Sequence, residues 1–252
     1  MKEKLIKIRI FDICTLILMF LLLIIFFGIT VQTTTYSYSS QTDLNNPTKS
    51  DTYTTAVLSS YLILCGILSL FLCYIAKEPH SLYPCFLYYM FCITSTILIT
   101  MILKYLIARP RPDTITLCDS PSSDACKEIL TKHYIFNQYQ SFPSGHASFS
   151  MCVSTFLYCF LNEILPVDSF IYIMIKILPL FGAFFISFTR IWDFQYHTED
   201  VVCGLLLGAV IGLLSFKMYK HEIHTKLNEQ ISPQNKAETE SISVPLTHNG
   251  SS

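Results

Sequence analysis

The apolar residues of this chain come in blocks about as long as a bilayer is thick, and that pattern decides most of what the chain can become. A helix needs about 20 largely apolar residues to cross a hydrocarbon core roughly 30 Å deep. Six segments come near that length: Ile10–Val31, Thr55–Ala76, Pro84–Ala108, Ala147–Leu165, Ser169–Arg190 and Val201–Lys220. Lipid offers the backbone no hydrogen bonds, so such blocks must satisfy their own polar groups, and a helix does so within one segment. The expected fold is therefore an all-α bundle of six transmembrane helices over residues 1–220. Residues 221–252 mix Ser, Thr, Asn, Glu and Lys without apolar periodicity and are expected to form a disordered cytoplasmic tail.

Composition agrees and excludes some functions. Of 252 residues, 52% are hydrophobic and 14% charged, with a net charge of −1, so no basic excess exists to neutralise a nucleic-acid backbone. The first block follows Lys2, Lys4, Lys7 and Arg9 as a signal peptide would. Its apolar run is longer than a signal segment's and no small-residue cleavage site follows, which predicts a retained anchor. Basic residues before the first block and at Lys217, Lys220, Lys226 and Lys236 predict that both termini are cytoplasmic. With six spans, the loops after the third and fifth then emerge together on the opposite face. Arg109, Arg111, Lys127 and Lys132 sit on that outer side against the charge rule, which makes sense for charges with a function there.

Eight of the ten cysteines (Cys14, Cys65, Cys73, Cys85, Cys92, Cys152, Cys159 and Cys203) lie inside apolar blocks, where a thiol packs as a small hydrophobe. Cys118 and Cys126 share a polar outer loop, where a disulfide would be stable if that loop faces an oxidising compartment. Gly204, Gly208 and Gly212 recur every four residues in the last block. They predict close helix packing, either within the bundle, which is favoured, or with a second copy in a homo-oligomer.

Charged groups at membrane depth are costly, so those at block ends are the candidates for chemistry. Lys104 and Arg111 stand at the end of the third block in the stretch from Lys104 to Pro112. Pro143-Ser144-Gly145-His146 opens the fourth, and Thr189-Arg190 through His197 to Asp200 bridges the last two. Each piece suits phosphate. Arg111 and Arg190 offer forked donors and Lys104 a point charge. Ser144 and Gly145 open a helix whose first N–H groups bind anions. His146 can protonate a leaving alkoxide, while a histidine held by a carboxylate can attack phosphorus. No metal or cofactor is expected, because the fixed cations can supply the charge stabilisation that Mg²⁺ gives elsewhere.

These three stretches resemble the signature of the phosphatidic acid phosphatase type 2 superfamily, whose motifs read KxxxxxxRP, PSGH and SRxxxxxHxxxD. The first is matched by Lys104, Arg111 and Pro112, and the second by Pro143 to His146. The third departs: Thr189 replaces Ser, Tyr196 stands where the family has its nucleophilic histidine, and His197 comes one residue later, with Asp200 in register. The resemblance covers about residues 50 to 215, with a motif core of about 100–204. It implies a bundle of the phosphatidic acid phosphatase type 2 and haloperoxidase type.

The function it implies is a metal-independent phosphatase of lipid phosphate monoesters (phosphatidate, lysophosphatidate or sphingoid phosphates) acting through a phosphohistidine. Lys104, Arg111, Ser144, Gly145 and Arg190 would hold phosphate, His146 would be the acid, and His197, oriented by Asp200, the nucleophile. Such a site would face the extracellular or lumenal side of the plasma membrane or of the endoplasmic reticulum and Golgi. The alternative is a catalytically impaired lipid-phosphate binder or signalling scaffold, favoured by Tyr196. A transporter is disfavoured, because the charges cluster on one side and the two halves lack matching broken spans.

Overall fold

The computed structural model of the chain describes residues 45–47, 55–76, 82–118, 138–166 and 169–242, together with Ile17 and Leu21. Among the described residues the regular structure is helical throughout. The helices are α1 (Thr55–Ile75), α2 (Leu82–Ile107), the short α3 (Thr114–Cys118), α4 (Gly145–Ile164), α5 (Phe170–Trp192) and α6 (Thr198–Ile242). Five of these helices are long and apolar enough to cross a membrane, and they fall on five of the six expected blocks. The sixth, Ile10–Val31, lies outside the described residues apart from Ile17 and Leu21, both helical. α6 continues past its apolar part, which ends near Thr225, as helix to Ile242.

The helix ends follow from local chemistry. Pro84 sits in the first turn of α2, where its missing N–H would have had no helical partner. Pro166 follows directly after the cap of α4 at Leu165. Pro179 lies inside α5, and its carbonyl accepts a hydrogen bond from Tyr61 Oη at 2.7 Å. The same phenol lies 2.7 Å from Ser154 Oγ, tying α1, α4 and α5 together, and Gly182 leaves the room it needs.

α4 is the central post. It packs against α1, α2, α5 and α6, and two-thirds (67%) of its apolar stretch is buried, against 22% for α5. Its inner side carries Val153, Phe156, Leu157 and Phe160, which meet Tyr89 of α2 and Phe216 and Tyr219 of α6. Phe156 packs edge-on to Phe216 (5.9 Å) and Tyr89 (5.7 Å), the geometry aromatic quadrupoles prefer. The outer faces show Leu64, Ile67, Phe71, Phe181, Phe184, Phe185 and Phe188, as befits an integral membrane protein.

One sequence-based expectation changes at the cysteines. Cys65, Cys73 and Cys85 are buried free thiols and pack as expected, but Cys92 of α2 is joined to Cys152 of α4. Two apolar faces that pack across the bundle place these small side chains opposite each other, which spacing along one chain cannot reveal. Cys118 is disulfide-bonded, while Cys126, its expected partner, lies outside the described residues.

The glycine row of α6 is turned inward, onto α4. A Cβ at Gly204 would lie 2.7 Å from the carbonyl oxygen of Ser144, at Gly208 2.3 Å from that of Ser148, and at Gly212 2.6 Å from that of Cys152. All three obstacles are backbone, so nothing can swing aside. Gly66 differs: its nearest neighbour is the ring of Tyr89, at 2.8 Å. Gly208→Ala is expected to destabilise the protein by about 1–3 kcal/mol, read as a lower melting temperature in detergent, and Gly66→Ala by less. Equal melting of Gly208→Ala and the unaltered protein would refute the close α4–α6 approach.

Candidate functional site

Three chain segments converge where α2 ends, α4 begins and α5 turns into α6. α2 stops in a left-handed turn: Ala108 has φ 47°, and its N–H returns to the carbonyl of Lys104 at 3.0 Å. Pro110 and Pro112 then keep the chain extended, and it runs beside residues 138–141 through Arg111 N–H to Gln138 O and Ser141 N–H to Arg109 O, both 2.9 Å. Lys104 is thereby carried in the last turn of the helix, buried, with its ammonium on the carbonyl of Gln140. Gln138 Nε2 donates to Asp113 Oδ1 at 2.6 Å, and burial pushes the Asp113 carboxyl above its usual range.

The second segment is the start of α4. Ser144 precedes the helix with extended backbone, and its N–H is held by the carbonyl of Asp200 at 2.9 Å. Its side chain does not cap the helix: Ser144 Oγ is buried and without a hydrogen-bond partner among the described residues, and so is His146 Nε2. Gly145 has no steric reason to be glycine. Its φ is negative and an added Cβ would meet only the Phe149 ring at an ordinary 3.5 Å.

The third segment closes α5 and opens α6. Asp193 N–H bonds Thr189 O (2.9 Å), Phe194 N–H bonds Ile191 O (3.0 Å) and Gln195 N–H bonds Arg190 O (3.1 Å), the bonding of a Schellman cap. Its left-handed residue, usually glycine, is Phe194 at φ 55°. A bulky side chain there costs on the order of 1 kcal/mol. The turn aims Asp193 at the fully buried Arg190 (3.0 Å) and Gln195 at Arg111. The Tyr196 ring comes to lie 5.1 Å from Lys104 Nζ and 5.2 Å from Arg111 Cζ, within cation–π range of both.

His197 immediately precedes α6 and Asp200 is the helix's third residue, so the carboxylate folds back onto the backbone N–H of His197 at 3.0 Å, as in a capping box. The same oxygen meets His197 Nδ1 at 3.1 Å and accepts from Ser141 Oγ, while Arg109 Nη1 holds the other oxygen at 2.6 Å. Asp200 is wholly buried. With Nδ1–H donating to this carboxylate, the lone pair of the imidazole falls on Nε2.

The residues singled out in the sequence are thus gathered at one end of the bundle. Lys104 and Arg111 share the Tyr196 ring, His146 lies in the field of Arg190, Arg111 and Lys104, and His197 is bonded to Asp200. The spacing of three between His197 and Asp200 is spanned by the helix cap. Sequence reasoning missed Ser141, Gln140, Asp193 and Gln195, polar residues beside the motifs that engage the site's charged groups. Arg109 carried a signal in its anomalous outer-side charge, but nothing in the sequence connects it to Asp200.

A family model described as the PAP2 superfamily matches residues 86–223. Among curated proteins, the chain is 26% identical over 222 residues to lipid phosphate phosphatase 1 of Arabidopsis thaliana, covering 81% of this chain and 66% of that one. It is 27% identical over 163 residues to phospholipid phosphatase 1 of Rattus norvegicus, covering 55% and 58%. It is 29% identical over 133 residues to diacylglycerol pyrophosphate phosphatase 1 of Saccharomyces cerevisiae, covering 46% and 45%. These matches span between about half and two-thirds of the relatives' lengths. No solved structure matches the chain. Since the matched region takes in more than half of the chain and all three segments of the site, the chain belongs to the PAP2 superfamily.

Proposed function

We propose that this protein hydrolyses lipid phosphate monoesters at the membrane surface, without a metal, through a phosphohistidine on His197. The observation that carries this reading is the buried Asp200–His197 pair beside a cluster of cations into which His146 presents an unengaged Nε2. The names of the relatives, lipid phosphate and phospholipid phosphatases, support lipid phosphate as the substrate class.

In this reading Lys104, Arg111 and Arg190 bind the phosphate oxygens, joined by Ser144 Oγ and the N–H groups of Gly145 and His146 at the start of α4. His197 Nε2 attacks phosphorus in line, forming the P–N bond as the P–O bond to the lipid breaks. Protonated His146 gives its proton to the leaving alkoxide, then takes one from the water that cleaves the P–N bond, so the enzyme ends as it began. Asp200 holds His197 in the right tautomer and stabilises the charge it gains. Arg109 and Ser141 are positioning residues that fix that carboxylate. The termini lie in the cytoplasm and the site faces the other side, of the plasma membrane or of the endoplasmic reticulum and Golgi.

A second reading keeps the cradle and drops the chemistry. Tyr196 occupies the family's nucleophile position, and its ring lies against Lys104 and Arg111 where a phosphate would compete for them.

Detergent-purified protein is expected to release phosphate from phosphatidate in EDTA, and His146→Ala and His197→Ala are each expected to lower kcat about 100-fold or more. A reaction that EDTA stops would refute the metal-free mechanism, and full activity of His197→Ala would refute the nucleophile. If instead the unaltered chain is inert and Tyr196→His releases phosphate, the binder reading is correct. Arg109→Ala leaves a buried carboxylate without its cation and is expected to cost about 3 kcal/mol of stability, with a loss of kcat beyond that of Arg109→Lys. Unchanged melting and turnover would remove Arg109 from the site.

A further inference from the structure

The turn that closes α5 presents two surfaces, and the phosphate chemistry uses only one. Inward it aims Asp193 at Arg190 and Gln195 at Arg111. Outward it builds an apolar groove of about 290 Å³ between Phe188, Ile191, Trp192 and Phe194. That volume is at the lower edge of small-molecule pockets, so the groove holds part of one hydrocarbon chain rather than a whole lipid.

Two observations tie the groove to the site. The first is Ile191, which lines the groove and also packs on the buried cluster of Ala147, Tyr196 and Val201. Tyr196 in turn lies under Lys104 and Arg111. A run of apolar contacts therefore links the Tyr196 ring beside the cations, through Ile191, to the groove walls Phe188 and Trp192, both largely exposed. The second is Phe194, held at φ 55° in the cap position that favours glycine. The backbone gains nothing from a phenyl group there. The phenyl forms one wall of the groove.

We propose that this groove seats the headgroup-proximal part of the substrate's hydrocarbon chain, so that the site selects phosphate esters of lipids over soluble ones. The inference rests on the cation cluster being a lipid-phosphate site. A chain leaving a phosphate held by Arg190 and Arg111 follows Ile191 outward into the groove, and the remainder of the lipid stays in the bilayer. Phosphate thus fixes the headgroup and the groove fixes the chain's direction, orienting the ester bond between them.

The chain's single tryptophan, Trp192, reports on the groove directly. Phosphatidate brominated near the headgroup is expected to quench its fluorescence saturably and more strongly than phosphatidylcholine brominated at the same carbons. Phe194→Gly relieves the left-handed backbone and so keeps the fold, but it removes the wall. It is expected to reduce the phosphatidate quench to the phosphatidylcholine level. The ratio of kcat/KM for long-chain phosphatidate to that for p-nitrophenyl phosphate is expected to fall about tenfold. Equal quenching by the two lipids in the unaltered protein, or a Phe194→Gly variant that keeps the selective quench, overturns the proposal. Headgroup-selective quenching in a protein that releases phosphate from neither substrate leaves the groove standing and overturns the phosphatase reading alone.

Discussion

A single buried carboxylate organises this end of the molecule. Asp200 has no exposed surface, and donors from three segments reach it: Arg109 after α2, Ser141 before α4, and the backbone and ring of His197 at the head of α6. A charge taken out of water is tolerable only when its lone pairs are met in this way. The requirement works in both directions. The carboxylate needs the three segments together, and the segments, otherwise loops at the edge of a bilayer, are held in register by the carboxylate. Its own carbonyl adds Ser144 N–H to the set, so the start of α4 is referenced to the same residue.

The cations around it are not left bare. Lys104 has the Gln140 carbonyl, Arg111 has Gln195, and Arg190 has Asp193. Lys104 and Arg111 are thereby kept in place by neutral partners, whose bonds are weaker than those between two ions. Asp193 is different, a full charge on Arg190.

The helices were legible in the sequence because lipid leaves the backbone little choice: Thr55–Ile75 and Leu82–Ile107 fall within two residues of the expected block ends. The gathering of Lys104, Arg111, His146, His197 and Asp200 was legible too, from span parity together with the family motifs. Contacts decided only in three dimensions were not. Arg109 and Asp200 are 91 residues apart and Ser141 and Asp200 are 59 apart, and no local rule links such pairs. The cap at Phe194 was hidden for another reason. The usual sign of a left-handed residue is glycine, and here the position carries a phenylalanine. The Cys92–Cys152 bond was hidden by the apolar blocks around it, in which a cysteine reads as filler.

The glycine row of α6 has a mechanical consequence. Where two helices touch backbone to backbone along three successive turns, neither can slide or roll against the other without a collision between main chains. His197 and Asp200 ride on the head of one of these helices, Ser144 to His146 on the head of the other. The two halves of the site are thus welded into one body, and their spacing is set by main-chain contact between the helices that carry them. α5, by contrast, is mostly exposed and meets α6 more lightly than α4 does.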